Sequence, residues 1–291
     1  MAIVLGPNRY GKAETRLLRV VRDTGRHTLR DLNVSTSLVG DFAAAHVVGD
    51  QAHVLPTDTQ KNAVFALARR IGVGEIEEFG LVLARHFVER TASVTGAEVR
   101  IEEHGWQRIV TESSPGGHDH AFTRSGREVR TTDVVLGPGG AHVISGLKDL
   151  VVLKSTGSEF SGFLVDELTT LPETHDRVLA TALTARWTYA ADAAVPDGVD
   201  WAASYTGIRS ALLQRFADVH SLALQQSLWE MGRAVLEAHP EVGSIELVAP
   251  NIHHVAVDLG PFGLDNPGEV FHVTDRPYGL IEVTVERDGR D

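Results

Sequence analysis

Lys12 stands directly after Gly11 at the mouth of a run of alternating side chains, where a desolvated ammonium loses its proton more readily and can act as a base. On an open surface the same lysine is only a solvated cation. Thr57-Asp58 sits just ahead of a helical stripe, where backbone N–H groups point outward and can meet an anionic ring atom, or where the pair simply caps the helix. Arg177 offers a planar fork of donors, and the amide of Gln225 or Gln226 can read a neighbouring N–H and C=O pair unless it is just a helix-surface group. Phe160 gives an aromatic face on which a flat heteroaromatic anion gains dispersion, or else a core side chain. Asn251 and His253 lie two apart in a strand-like run and therefore share a face.

Composition narrows the chemistry. The 291 residues contain no cysteine, so disulfides, thiolate nucleophiles and cysteine-ligated metals are all excluded. Lysine and arginine total 27 against 39 acidic residues, a net charge of −12, which is the opposite of a nucleic-acid footprint. An anionic ligand therefore needs a local basic site. Two histidine clusters, His118-Asp119-His120 and His253-His254, invite a metal reading. A metal wants three or four convergent ligands. His118 and His120 can share a strand face but show no third ligand nearby, and His253-His254 points to opposite faces. We therefore expect no metal. The opening Met1-Ala2-Ile3-Val4-Leu5-Gly6-Pro7 lacks the charged and apolar regions of a signal peptide, no window is apolar for the ~18 residues a membrane span needs, and Asp288-Gly289-Arg290-Asp291 is no peroxisomal signal. The expectation is a soluble cytoplasmic protein with no membrane partner.

The elements that must position these residues follow from periodicity. Alternation predicts a strand from Lys12 to Asp23, a turn at Thr24-Gly25 and a returning strand from His27 to Leu38. Asp58 or Thr59 can cap a helix bearing Val64, Phe65, Ala68 and Ile71, ended by Gly72 and Gly74. A second helix from Glu75 to about Thr91 lines up Ile76, Phe79, Leu83 and Phe87. Strands follow over Ala97 to Val110 and His120 to Val135, with Ser125-Gly126 as the intervening turn. The order then recurs: strands over Ala141 to Thr156 and Arg177 to Ala190, a connecting loop over Ala191 to Asp200, a helix bearing Ile208, Leu212, Phe216 and Val219, a helix capped by Ser221 bearing Leu224, Leu228, Met231 and Val235, and strands over Ser244 to Val257 and Glu269 to Val285. The repeat is one of architecture and not of residues. It predicts an α+β chain of two β-β-α-α-β-β units with antiparallel sheets and helices on one face. The breaker Gly137-Pro138-Gly139-Gly140 divides it into 1–138 and 139–291. That run is not followed by a helix, so it is no dinucleotide fingerprint.

Three segments in order, Asn8-Arg9-Tyr10-Gly11-Lys12, Thr57-Asp58-Thr59-Gln60-Lys61-Asn62 and Leu153-Lys154-Ser155-Thr156-Gly157-Ser158-Glu159-Phe160-Ser161-Gly162-Phe163, resemble signatures of the urate oxidase family. Asp166-Glu167, Thr169-Thr170-Leu171-Pro172-Glu173, Asp176-Arg177 and Pro250-Asn251-Ile252-His253 extend the resemblance along nearly the whole chain. It implies two tandem domains of the tunnelling fold (T-fold), and conversion of urate, molecular oxygen and water into 5-hydroxyisourate and hydrogen peroxide without a cofactor.

The resemblance also assigns roles. Lys12, Thr57 and His253 form a proton-relay triad; Thr57 and Asn251 face the oxygen site; Asp58 meets the purine through its backbone N–H. Phe160 stacks on the purine, Arg177 and Gln225 grip its edge, and Leu224, where the family commonly has valine, contributes a backbone contact. Counting back from Met231 along the helical stripe selects Gln225 over Gln226. Pro56, where a smaller residue is usual, stiffens the loop before Thr57. The resemblance implies a homotetramer whose sites lie between subunits. A zinc-using relative of the same fold would leave Phe160, Arg177 and Gln225 unexplained, and a silent purine binder would not need Lys12, Thr57 and His253.

Overall fold

Apolar and polar side chains alternate in β1 (Tyr10–Val21) and β2 (Thr28–Gly40), which pair antiparallel with Lys12 opposite Thr36 and Val21 opposite Thr28. The computed structural model describes residues 2–189 and 198–288. It splits into two compact units, Met1–Gly146 with Ala191–Ala202 and Leu147–Ala190 with Ala203–Asp291, so that the cut falls inside a strand. The Gly137–Gly140 breaker is the turn just ahead of that strand. The expected strand pairs, helix pairs and strand pairs are present in an antiparallel α+β arrangement.

In the first unit β2 pairs with β3 (Val94–Arg108), and β3 with β4 (Phe122–Gly137), both antiparallel. Between β2 and β3 run a short helix α1 (Ala43–Val47), which periodicity did not predict, then α2 (Thr57–Arg70) and α3 (Ile76–Arg90). The α3 stripe is buried as expected, with Ile76, Phe79, Leu83 and Phe87 in the core beside Leu32, Val34, Val99, Ile101 and Val134. On α2 the stripe is shifted. Val64, Leu67 and Ala68 are buried, whereas Phe65 and Ile71 are exposed. The predicted turn at Ser125-Gly126 lies inside β4, where Gly126 takes a positive φ near the β3 irregularity between His104 and Trp106. The actual connection is 109–121, closed by a bridge between Thr111 and Ser114.

The second unit takes the end of β5 (Gly140–Lys154), then β6 (Leu179–Tyr189), most of α4 (Trp201–Asp218), α5 (Leu224–Ala238), β7 (Val242–Ala256), β8 (Phe271–Thr274) and β9 (Leu280–Glu286). β7 pairs antiparallel with β6, β8 and β9. Its core joins Leu179, Leu183 and Trp187 to Ile208, Leu212, Leu228, Met231, Val235, Ile245 and Leu247. The single strand expected over Glu269 to Val285 is two strands, because Pro277 has no N–H to give a ladder. Ala190 and 191–197 of the expected strand end and loop lie outside the described residues.

In each unit the helix that precedes the third long strand, α3 or α5, sits close to the sheet at a glycine. A Cβ on Gly80 of α3 would come 2.7 Å from Val134 Cγ2, and one on Gly232 of α5 would come 2.5 Å from Val285 Cγ2. Neither contact leaves room for a methyl group.

Candidate active site

Gly11 brings β1 so close to β2 that a Cβ there would lie 1.8 Å from Thr36 O, and the residue it places next is Lys12. The strand bulges between Lys12 and Thr15, with Glu14 at φ 60°. Behind it Thr36 is buried and donates its hydroxyl to Gln60 Oε1 at 2.8 Å. Gln60, fully buried on α2, donates to Leu55 O at 3.5 Å, and the Tyr10 hydroxyl donates to the same carbonyl at 3.0 Å. Leu55 is therefore tied to both β1 and α2, which fixes the approach of Pro56-Thr57-Asp58.

Helix α2 begins at Thr57 with Pro56 in the N-cap position and no side-chain cap. That corrects the expected cap at Asp58 or Thr59: the fixed φ of Pro56 starts the helix earlier. The Asp58 carboxylate instead pairs with Lys61 and accepts Asn62 Nδ2 at 3.0 Å. The hydrogen bond and charge of Lys61 hold its pKa below the usual range, and the charge of Lys12 adds to that. With no side chain capping them, the first N–H groups of α2 carry the positive end of the helix dipole. That arrangement suits an anion.

Phe160, Arg177, Leu224, Gln225, Asn251 and His253 all belong to the second unit. Ser158 bridges Ser221, and Phe160 pairs with Thr174 through N–H to O bonds of 2.8 and 2.9 Å. The Arg177 N–H donates to Ser158 O at 2.9 Å. These bonds lay Arg177 over the Phe160 ring, 5.2 Å from its centroid, while Phe163 stacks on Phe160 at 4.8 Å. Arg177 has no acidic partner among the described residues, its Nε is buried without a hydrogen bond, and burial pushes its pKa down. Ser158 Oγ beside it is likewise buried and unpartnered. Unmatched buried donors are costly unless a ligand completes them.

Leu224, buried, is the first residue of α5, and Gln225, exposed, is the second. The expected cap at Ser221 is corrected: Ala223 is the N-cap, and the Ser221 hydroxyl instead donates to Ala223 O and accepts from Ser227 Oγ. Gln226 Oε1 accepts the Leu222 N–H at 2.9 Å, while the Gln225 side chain makes no hydrogen bond among the described residues. On β7, Asn251 Nδ2 lies 3.5 Å from His253 Nδ1, so the two do share a face. Arg177 leads into β6, whose Ala180 and Thr181 face Ile252 and Asn251.

Two half-constellations result. Lys12, Thr57 and Asp58 are gathered in one unit, and the remaining six residues are carried by the other. The model of the uricase family matches residues 8–135 and 143–282, almost the whole of both units. The chain belongs to the uricase family. Its activity is that of a urate oxidase, an oxidoreductase that uses molecular oxygen. A uricase from Arthrobacter globiformis is 52% identical over 287 residues, covering 99% of this chain and 91% of that protein. A uricase from Dictyostelium discoideum is 35% identical with 96% of each chain covered. The crystal structure of the Arthrobacter globiformis uricase superposes with a TM-score of 0.93 at 51% identity, over 100% of this chain and 97% of that one. The urate oxidase of Bacillus sp. TB-90, 22% identical, shares the fold at a TM-score of 0.81 over 96% of this chain and 100% of its own.

Part of this candidate site in the uricase-family chain was not legible in the sequence. Tyr10 and Gln60, which hold the Leu55 carbonyl, lie inside the quoted signatures but carry no chemistry that singles them out. Nor does the sequence tell that Ser158 is buried. His27 also went unnoticed beside His118 and His120; the His27 and His120 rings lie 6.0 Å apart, and those of His118 and His120 4.5 Å. Among the described residues no group of three or more His, Asp or Glu side chains is placed to hold a metal ion.

Proposed function

We propose that this chain binds urate through Arg177, Gln225 and Phe160, and that Lys12, Thr57 and His253 move the protons of its oxidation. The observation that carries the reading is the half-buried Arg177 guanidinium beside the Phe160 ring, its Nε buried without a hydrogen bond and no acidic partner beside it among the described residues. A fork of donors next to an aromatic face fits a flat purine anion with a carbonyl beside an anionic ring nitrogen. Gln225, free where Gln226 is engaged, supplies the amide for the neighbouring N–H and C=O pair. Leu224 and Asp58 contribute backbone groups.

Urate, oxygen and water become 5-hydroxyisourate and hydrogen peroxide. Urate gives up a proton before its electrons pass to oxygen, and the peroxide gains protons as it leaves. Lys12 takes the role of base, with Thr57 and His253 passing protons on, while Thr57 and Asn251 face the oxygen. The electron-rich urate anion is itself the reductant, so neither a metal nor a flavin has a part in this reading. The protein's task is deprotonation, orientation and electrostatic stabilisation.

In the same reading the Lys12–Thr57–Asp58 half of one subunit meets the Phe160–Arg177–His253 half of another in a homotetramer. Exposed apolar side chains support assembly: Leu164, Leu168 and Phe262 are 92%, 81% and 74% exposed in the single chain. Light scattering tests the tetramer. Among the described residues no helix is long and apolar enough to cross a membrane. The reading further takes the enzyme as cytoplasmic, which cell fractionation tests.

The test of the chemistry is urate absorbance with metal-free protein in air, followed beside a peroxide assay and an oxygen-depleted control. Oxygen-dependent loss of urate with matching peroxide is the expected result. Turnover that needs an added metal would contradict it.

A further inference from the structure

Glu159, next to Phe160, has no place in the proton relay or in the grip on urate. Its carboxylate nevertheless joins three chain segments. One oxygen binds His220 Nε2 at 2.6 Å, and the other lies 3.5 Å from His175 Nδ1. Its own N–H donates to Ser221 O at 2.7 Å, while the Ser221 N–H donates to Gly157 O at 2.9 Å. Each segment leads within a few residues to a urate contact: Glu159 precedes Phe160, His175 stands two before Arg177, and His220 stands four before Leu224 and five before Gln225.

We propose that Glu159 is a positioning residue for urate, its carboxylate clasping the segments of Phe160, Arg177 and α5 so that ring, guanidinium and amide keep one geometry. The proposal rests on the reading that those three groups hold urate. Hydrogen bonds from His220 first and His175 second keep the Glu159 carboxyl below its usual range. The other charged groups around it have their own partners. Asp176 accepts Thr156 Oγ1 at 2.8 Å and Gly157 N at 3.1 Å, Glu173 accepts Gly162 N at 2.8 Å, and Lys154 donates to Val219 O. Asp176 and Glu173 tie the Arg177 segment to the Phe160 segment only, whereas the Glu159 carboxylate, through its two histidines, reaches both the Arg177 segment and the entry to α5.

The test compares Glu159→Ala, Glu159→Gln and Arg177→Met for urate binding without oxygen and for KM and kcat in air. Glu159→Ala should raise the urate Kd and KM about fivefold while kcat stays within about twofold. Glu159→Gln, whose carboxamide oxygen still accepts the His220 N–H, should recover most of the loss. Adding His220→Ala to Glu159→Ala should cost little more, because the two act through one contact. A Glu159→Ala protein with lower Tm but unchanged Kd and KM overturns the proposal, as does a Glu159→Gln protein no better than alanine. If Arg177→Met also binds urate normally, it is the underlying reading of the site that fails.

Discussion

At the scale of the residue, Lys12 and Arg177 separate chemistry from binding. Arg177→Met removes the fork and should raise KM for urate about thirtyfold with a smaller change in kcat. Lys12→Met should lower kcat about a hundredfold and leave urate binding without oxygen close to that of the parent, as loss of a positioned base does. Steady-state kinetics beside anaerobic binding distinguish them; equal effects on both parameters would collapse the division of roles. The types and order of these residues were legible in the sequence, since each motif is local. Their neighbours were not. That Ser158 is buried depends on how distant segments fold back, while the Leu222–Gln226 bond and the start of α2 at Pro56 turn on local backbone geometry that residue types alone do not specify.

At the scale of the element, α3 is anchored by charge as well as by its apolar stripe. Glu77 is fully buried and meets Arg130 at 2.7 Å and the Ser145 hydroxyl at 2.7 Å, while Arg130 also reaches Glu75 at 2.6 Å. Arg130→Met strands a buried carboxylate and should destabilise the chain by about 3 kcal/mol, and Glu77→Leu added to it should restore much of that. Denaturant unfolding of both variants checks this; an Arg130→Met chain as stable as the parent would contradict it. Burial is the largest influence on Glu77 and pushes its pKa up despite Arg130. The folded chain then binds more protons than the unfolded one between the ordinary carboxylate value of about 4.3 and the raised value, so stability falls as pH rises through that window. Glu103, raised by burial beside Arg30, acts with the same sign. Glu77→Gln should therefore flatten the pH dependence of the unfolding midpoint, and an unchanged slope would show that Glu77 does not titrate there. The elements themselves were mostly legible because their periodicities are strong, as with the buried Ile76, Phe79, Leu83 and Phe87. The misplaced features share a cause: Gly126 and Pro277 act through tertiary pairing, one inside a strand and one between two. The buried ionic anchor of α3 gave no signal, since Glu77 and Arg130 are charged residues far apart in sequence.

At the scale of the whole molecule, the candidate site is divided. Lys12, Thr57 and Asp58 are gathered by β1 and α2, while Phe160, Arg177, Gln225, Asn251 and His253 are carried by β7, α5 and the segment between β5 and β6, where Phe160 pairs with Thr174. A net charge of −12 gives an anionic substrate no general attraction, so the proposed reading assigns the binding to fixed donors such as Arg177. Sequence alone could suggest both halves by resemblance but not show what gathers each, because the contacts run through Thr36, Gln60, Ser221 and Thr174. The central claim is that one chain's relay half completes another chain's urate half. Refolding equal amounts of Lys12→Met and Arg177→Met chains together tests it most directly. If sites form between chains, one pairing in four unites two native halves, and the mixture should recover about one quarter of parental turnover. A mixture no more active than the sum of the two variants refolded apart would contradict a shared site.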